Sequence, residues 1–149
     1  MLGMNMADEH NVIWVDEVHP LSGRAAIVVD GGRACWLYLH EYANGPVLKT
    51  VLCYSPIPPV TREEFDTCVS RGDTPILISE YASPDAVITE RFPDDFSFRW
   101  RPDGEAVAVL FRARVLAIAT PEERHGSSAA VARSGPFGDP LVRERYSWL

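Results

Sequence analysis

Lysine, cysteine and long apolar runs are all scarce in this chain of 149 residues. Lys49 stands alone beside thirteen arginines, a bias that we attribute to codon usage, although arginine also serves fixed bidentate contacts. No stretch approaches the ~20 apolar residues of a membrane-spanning helix. No basic start followed by an apolar run indicates a targeting segment. We therefore expect a cytoplasmic protein without a membrane partner.

The three cysteines are an odd number and lack the spacing of metal ligands. Cys35 and Cys53 lie in apolar strand patterns and Cys68 lies on an apolar helix face, so we predict buried structural thiols. Residues 40–44 (His-Glu-Tyr-Ala-Asn) begin like a zinc-binding helix, but Asn44 stands where the second histidine is needed. We expect neither a metal nor a cofactor.

Positive charge is in deficit, because 21 acidic residues outnumber 14 basic ones and leave a formal charge of −7. This balance disfavours a nucleic-acid backbone as the partner. The same charge would accelerate the encounter with a basic protein. Solubility alone also accounts for it.

No catalytic constellation is recognisable in the chain. His125 lies near Ser127 and Ser128, yet neither serine lies in a strand–turn–helix elbow, so a helix cap is the better interpretation. We therefore expect no catalytic residues and a protein that is not an enzyme. Seven carboxylates are candidate contacts for a protein partner: Glu63, Glu64, Asp66, Asp94, Asp95, Glu122 and Glu123. Each also has a local interpretation at a helix start, a turn or a strand entry.

The segment 96–120 predicts a three-stranded meander. If residues 102–104 (Pro-Asp-Gly) form the first loop, Phe98 lies opposite Ala108. A second loop at residues 112–114 would set Phe111 opposite Val115. A one-residue slip would exchange the faces, so we expect a well-specified register. The predicted apolar face consists of Phe96, Phe98, Trp100, Ala106, Ala108, Leu110, Leu116 and Ile118.

A similar meander of three or four strands is predicted for the first half of the chain. The strand candidates are residues 12–15, 25–29, 33–40 and 47–54. With Gly31 and Gly32 as a two-residue turn, Ile27 would face Trp36.

One helix is well marked between the meanders. Thr61 and Glu64 form a capping-box pattern, and Val60 and Phe65 occupy the two staple positions. Phe65, Cys68 and Val69 supply its predicted buried face, and Gly72 is a plausible stop.

The remaining segments predict a strand at 76–79, a long ordered loop at 80–95 and further short helices. One helix is expected after Thr120 or across 127–132, and another after Asp139-Pro140, over residues 141–146. The predicted fold is α+β, mainly antiparallel sheet as two meanders with a few short helices including a C-terminal one. We expect a single domain over 1–149, with 1–10 as a loose terminus.

Three segments resemble small uncharacterised bacterial cytoplasmic proteins, some of which are immunity-like or accessory to toxin systems. They are residues 36–40 (Trp-Leu-Tyr-Leu-His), residues 95–98 with 103–110, and residues 135–140 (Gly-Pro-Phe-Gly-Asp-Pro). The segments cover under half of the chain and include no catalytic motif. No functional residue of these proteins can be carried over to this chain.

Our leading hypothesis is a non-enzymatic protein that binds and blocks or escorts one protein partner, for which the net charge favours a basic protein. The alternative is a small-molecule-binding protein or small enzyme that uses the loop 80–95 as a lid. A homodimer built through an exposed sheet edge is also possible. A pocket beneath the loop would favour the alternative.

Reversing Asp94 and Asp95 to lysine should slow association with a basic partner and reduce its salt dependence, because the steering charge is removed. Stopped-flow association rates across a salt series measure both effects. Unchanged kinetics would remove these two carboxylates from the contact surface.

Overall fold

Two β-sheets contain most of the regular secondary structure of the described residues. The computed structural model describes residues 12–149, so the predicted loose terminus at 1–10 lies outside the described residues. The first sheet is antiparallel and its strands follow one another in space as in sequence. Its strands are β1 (Ile13–Val18), β2 (Ala25–Asp30), β3 (Cys35–His40) and β4 (Val47–Tyr54).

The second sheet also follows sequence order, and only its last strand pair is parallel. Its strands are β5 (Phe96–Trp100), β6 (Val107–Phe111), β7 (Arg114–Ala119), β8 (Ser127–Ser128) and β9 (Asp139–Pro140). Helix α1 (Arg62–Ser70) lies between the sheets in sequence, and single 3₁₀ turns occur at Pro93–Asp95 and Arg143–Arg145. The two predicted meanders are confirmed, and the fold is mainly antiparallel sheet with few helices.

The two sheets pack face to face around the main core, with β4 closest to β7. The outer face of the second sheet is covered by the chain end, where Tyr146 and Trp148 pack. The outer face of the first sheet is covered over β3 and β4 by α1, by the segment after it and by residues 130–137, which include Phe137. Side chains from both sheets form the main core: Ile13, Val28, Leu37, Val51, Cys53, Val107, Val109, Phe111 and Ala117.

Helix α1 begins as its cap signals predict. The Thr61 hydroxyl accepts from the Glu64 N–H, and the Glu64 carboxylate accepts from the Thr61 N–H. Cys68 is buried and Phe65 packs on the core, but Val69 is exposed, so its predicted burial is wrong. All three cysteines are buried free thiols, as expected.

The register of the second meander differs from the prediction by one residue. The loop has four residues rather than three, since the Arg101 N–H donates to the Ala106 carbonyl (2.8 Å). Phe98 therefore lies opposite Val109, not Ala108. This slip exchanges the two faces of β6: its valines and Phe111 enter the main core, and Ala108 and Leu110 move outside.

The next turn also differs from its prediction. Phe111 lies opposite Arg114, not Val115, because Arg112 and Ala113 form a two-residue turn. Both have positive φ angles, 49° and 70°, as a type I′ turn requires.

The register of the hairpin formed by β2 and β3 differs from the prediction by two residues instead. Its loop runs from Gly31 to Ala34, so Ile27 lies opposite Tyr38 rather than Trp36. The Gly31 N–H donates to the Ala34 carbonyl at 3.2 Å. A shift of two residues leaves every side chain on its predicted face, because side chains alternate with a period of two.

The helices predicted in the last third of the chain are not formed. Residues 127–128 are strand β8, and the segment after Thr120 is a turn. The chain end has a single 3₁₀ turn, Arg143–Arg145, where a C-terminal helix was expected. Helix caps and proline act only on neighbouring residues. The conformation of the chain end depends instead on the packing of Tyr146 and Trp148 against the second sheet. Residues 76–79 form only an isolated bridge, Val60 with Ile78.

The Gly126→Ala variant tests how tightly the chain passes over β4. An added Cβ would lie 2.0 Å from Val51 Cγ2 and 2.7 Å from the Ile118 carbonyl oxygen. We expect the free energy of unfolding to fall by about 2–3 kcal/mol in urea denaturation, because the backbone oxygen cannot turn aside. Gly23→Ala is the control, since its φ is +76° with nothing within 4 Å, and should cost about 1 kcal/mol. Equal losses would contradict the packing argument.

Candidate functional site

An exposed apolar surface lies on the outer face of the first sheet, over β1 and β2. Trp14 and Val18 lie on one side of β1, with Asp16 between them on the same side, and are 54% and 51% exposed. The register places them on the same face as Ile27, Val29 and Tyr38, which are only partly buried. We call these five residues the apolar face. Among residues 12–149, nothing covers it, because the residues that pack on this side of the sheet lie over β3 and β4.

A groove lies where the apolar face meets this cover. It has a volume of about 430 Å³. The Trp36 indole N–H donates to the Pro75 carbonyl (3.1 Å), which holds the cover against the sheet. The groove is lined by Val29, Gly31, Arg33, Ala34, Trp36, Tyr38, Gly72, Asp73 and Thr74.

The groove continues along α1 into a second depression of about 330 Å³. Arg33 and Asp73 line both depressions, and Arg71 lines the second. None of these three side chains forms an ion pair with a residue in the range 12–149. Of the predicted contacts, Glu63 and Glu64 line the second depression. The groove thus offers apolar walls together with accessible charges of both signs.

Asp66, Asp94 and Asp95 lie outside the groove. Asp66 is exposed on α1. Asp95 is 3.2 Å from Arg112 and accepts from the Phe92 N–H, and the pKa of Asp95 is lowered by the Arg112 guanidinium and that N–H. Asp94 is exposed in the same 3₁₀ turn, which lies beside β1.

Glu122 and Glu123 serve local structure at the other end of the second meander. Arg101 donates to both oxygens of Glu122, at 3.0 and 2.8 Å, and lowers its pKa. Glu123 accepts from Arg145 (2.7 Å) and from the Tyr146 hydroxyl (2.9 Å). The seven predicted carboxylates therefore lie in three separate regions rather than on one patch.

The sequence reasoning missed a buried polar cluster around Asp30. This carboxylate is fully buried and accepts from Arg91 Nε (2.8 Å), from the Tyr54 hydroxyl and from the Gly32 N–H (2.7 Å). Burial raises the pKa of the neighbouring Cys35 thiol and of Tyr54, so both stay protonated. The only signal in the sequence was an aspartate before two glycines, which is also an ordinary turn signal.

The Asp30–Arg91 ion pair connects the loop 80–95 to the hairpin formed by β2 and β3. The loop is further held by bridges of Val87 to Ser55 and of Ala82 to Val131. It is an ordered loop, as predicted. No residue of 80–95 lines either depression, so the lid hypothesis finds no support in them and stays a prediction.

His125 and the serines do not form a catalytic arrangement. His125 Nδ1 lies 3.1 Å from Asp139 Oδ1, while the buried Ser127 hydroxyl bonds to the Tyr146 hydroxyl. Ser127 is in a strand, so its predicted role as a helix cap is wrong. Across residues 12–149, no three His, Cys, Asp or Glu side chains are grouped to hold a metal ion.

Comparisons with protein families, with characterised proteins and with solved structures found no significant match to this chain. Among residues 12–149, no helix has the length and apolar character needed to cross a membrane. The assignment of function therefore depends on the geometry alone.

Arg91→Ala should lower the free energy of unfolding by about 2–3 kcal/mol, because it removes the cation from a buried carboxylate that keeps its other two donors. Urea denaturation at neutral pH measures the change. Arg62→Ala is the control, because its pair with Glu80 is exposed and should contribute nothing measurable. Equal stability of the two variants would contradict a structural role for the buried pair.

Proposed function

We propose that this protein binds a protein partner through the apolar face and the adjoining groove, and thereby blocks or escorts that partner. The observation that carries the proposal is the exposure of Trp14 beside Val18, Ile27, Val29 and Tyr38 on one sheet face. Exposed apolar side chains gathered on one face are typical of interaction surfaces, and here Asp16 adds one carboxylate between Trp14 and Val18. Tryptophan and tyrosine are also the side chains most often found as interface anchors.

The shape of the surface favours a protein over a small molecule. A small-molecule site encloses most of its ligand, whereas this groove opens onto a flat sheet face and carries the charges of Arg33 and Asp73 at its rim. A core of aromatic and aliphatic residues with a polar rim is the usual composition of a protein interface. An immunity-like or accessory role agrees with this mode of action.

The charge distribution favours a basic partner. The chain has a formal charge of −7. Glu63 and Glu64 border the groove, and Asp94 is exposed in the turn beside β1. Such carboxylates would raise the rate of association with a cationic surface, while the apolar face supplies affinity. Asp94 rather than Asp95 should carry this effect, because Arg112 already neutralises Asp95.

Trp14→Ser should weaken partner binding at least tenfold, about 1.4 kcal/mol, because a central aromatic anchor is lost. The tagged protein and its variants are used to capture partners from the lysate of the native cells, with quantitative mass spectrometry. The dissociation constant of each captured protein is then measured by calorimetry.

Val142→Ser is the control variant, because Val142 is an exposed apolar residue of the chain end and not of the apolar face. It should bind within twofold of the unchanged protein. Equal binding by Trp14→Ser and by the unchanged protein would refute the proposed face.

A further inference from the structure

We propose that β1 receives an extended segment of a basic protein as an added antiparallel strand. The proposal rests on the proposed function and specifies how its partner is recognised. β1 is one of the two edge strands of the first sheet among the described residues, β4 being the other, and β1 pairs on its inner side with β2. Strand addition at such an edge supplies affinity through main-chain hydrogen bonds and selectivity through alternate side chains.

The hydrogen-bonding groups along the edge follow from the register. The His19 N–H donates to the Arg24 carbonyl (2.8 Å), and these two residues continue the register of β1 with β2. Antiparallel pairs alternate between bonded and non-bonded positions. Trp14, Asp16 and Val18 therefore direct their N–H and C=O groups away from β2, and none of these groups bonds to a residue within 12–149.

The side chains along β1 specify what an added strand should carry. Trp14, Asp16 and Val18 share the outer side, where the Trp14 indole N–H donates to Asp16 (3.1 Å). Glu17 is on the opposite side, where it accepts from the Trp100 indole N–H (2.6 Å). A complementary strand has apolar residues opposite Trp14 and Val18, and basic residues opposite Asp16 and Glu17.

The charge along β1 favours a cationic segment over a second copy of this chain as the added strand. Asp16, Glu17 and Asp94 form no ion pair with any cation in the part of the chain that the structure describes. A second copy would bring another acidic strand and a further charge of −7 to this edge, which like charge opposes. β1 contains neither lysine nor proline, and its two carboxylates, Asp16 and Glu17, oppose pairing with an acidic strand but not with a cationic one. A cationic extended segment is the occupant that satisfies both the backbone and the charges.

The probe is the peptide acetyl-Thr-Val-Lys-Arg-Val-Leu-Thr-amide, whose central residues face β1 from Val18 to Trp14. Amide hydrogen exchange is followed by NMR with and without the peptide. In the free protein we expect fast exchange at Trp14, Asp16 and Val18 and slow exchange at Val15 and Glu17. Saturating peptide should slow the three fast amides at least tenfold. A peptide with glutamate in place of lysine and arginine should slow none of them.

Matched variants separate the backbone contribution from the side-chain contribution. Asp16→Pro removes an outward N–H and leaves the bonds between β1 and β2 intact, as proline at a sheet edge allows. This variant should raise the dissociation constant of the peptide at least tenfold, as measured by fluorescence anisotropy. Asp16→Ala removes the charge but keeps the N–H, so it should raise the dissociation constant of the peptide only about threefold. The exchange experiment needs no substitution and remains decisive if Asp16→Pro does not fold.

Several outcomes would overturn strand addition. They are absence of peptide binding, equal binding of the acidic peptide, or exchange that slows elsewhere than on β1. Concentration-dependent dimerisation in sedimentation that Asp16→Pro abolishes would assign the edge to a second copy. If Trp14→Ser reduces partner capture while Asp16→Pro does not, the result supports the apolar face as the binding surface and refutes strand addition. If neither variant changes capture, the proposed function falls too.

Discussion

Face-to-face packing of the two sheets is the constraint on which the other contacts depend. Each sheet places one side in the shared core, so the alternation along every strand decides which residues are buried there. The other side of each sheet then requires a separate cover. The chain end with Tyr146 covers the second sheet, whereas α1 and Phe137 cover only the β3–β4 half of the first. The apolar face is the part of this arrangement that no described residue covers.

The buried polar cluster stabilises the same region from inside. Asp30 ends β2, and Arg91 reaches it from the loop 80–95, so a long connection is fixed to the hairpin that borders the groove. A charge removed from water in this way is tolerated only because it has several donors. The apolar face and the groove consequently belong to an ordered framework. Such a framework would bind the proposed partner with little loss of conformational freedom.

Much of the fold was predictable because its signals are local. The capping box at Thr61 and Glu64 and the turns near Gly31 and Gly104 were located correctly from residue type. The one-residue error at Phe98 arose because a Pro-Asp-Gly segment fits loops of three or four residues. Loop length alone does not reveal which side of β6 belongs in the core. For the candidate site, Glu63 and Glu64 were predicted as contacts and do border the groove. The exposure of Trp14 was missed, since an apolar residue in a strand normally predicts burial.

The sequence by itself determined that the chain forms two antiparallel meanders with one well-capped helix between them in sequence, and that its cysteines are buried thiols. Turn chemistry, side-chain alternation and helix caps are encoded within a few neighbouring residues, so they can be recognised without the fold. The tertiary structure alone decided the register of β5 and β6, the conformation of the chain end and the uncovered half of the first sheet. These features depend on contacts between residues far apart in sequence, such as Ser127 with Tyr146 and Asp30 with Arg91. The free energy of these tertiary contacts exceeds the local preference of a segment for helix or strand, so the contacts decide the conformation.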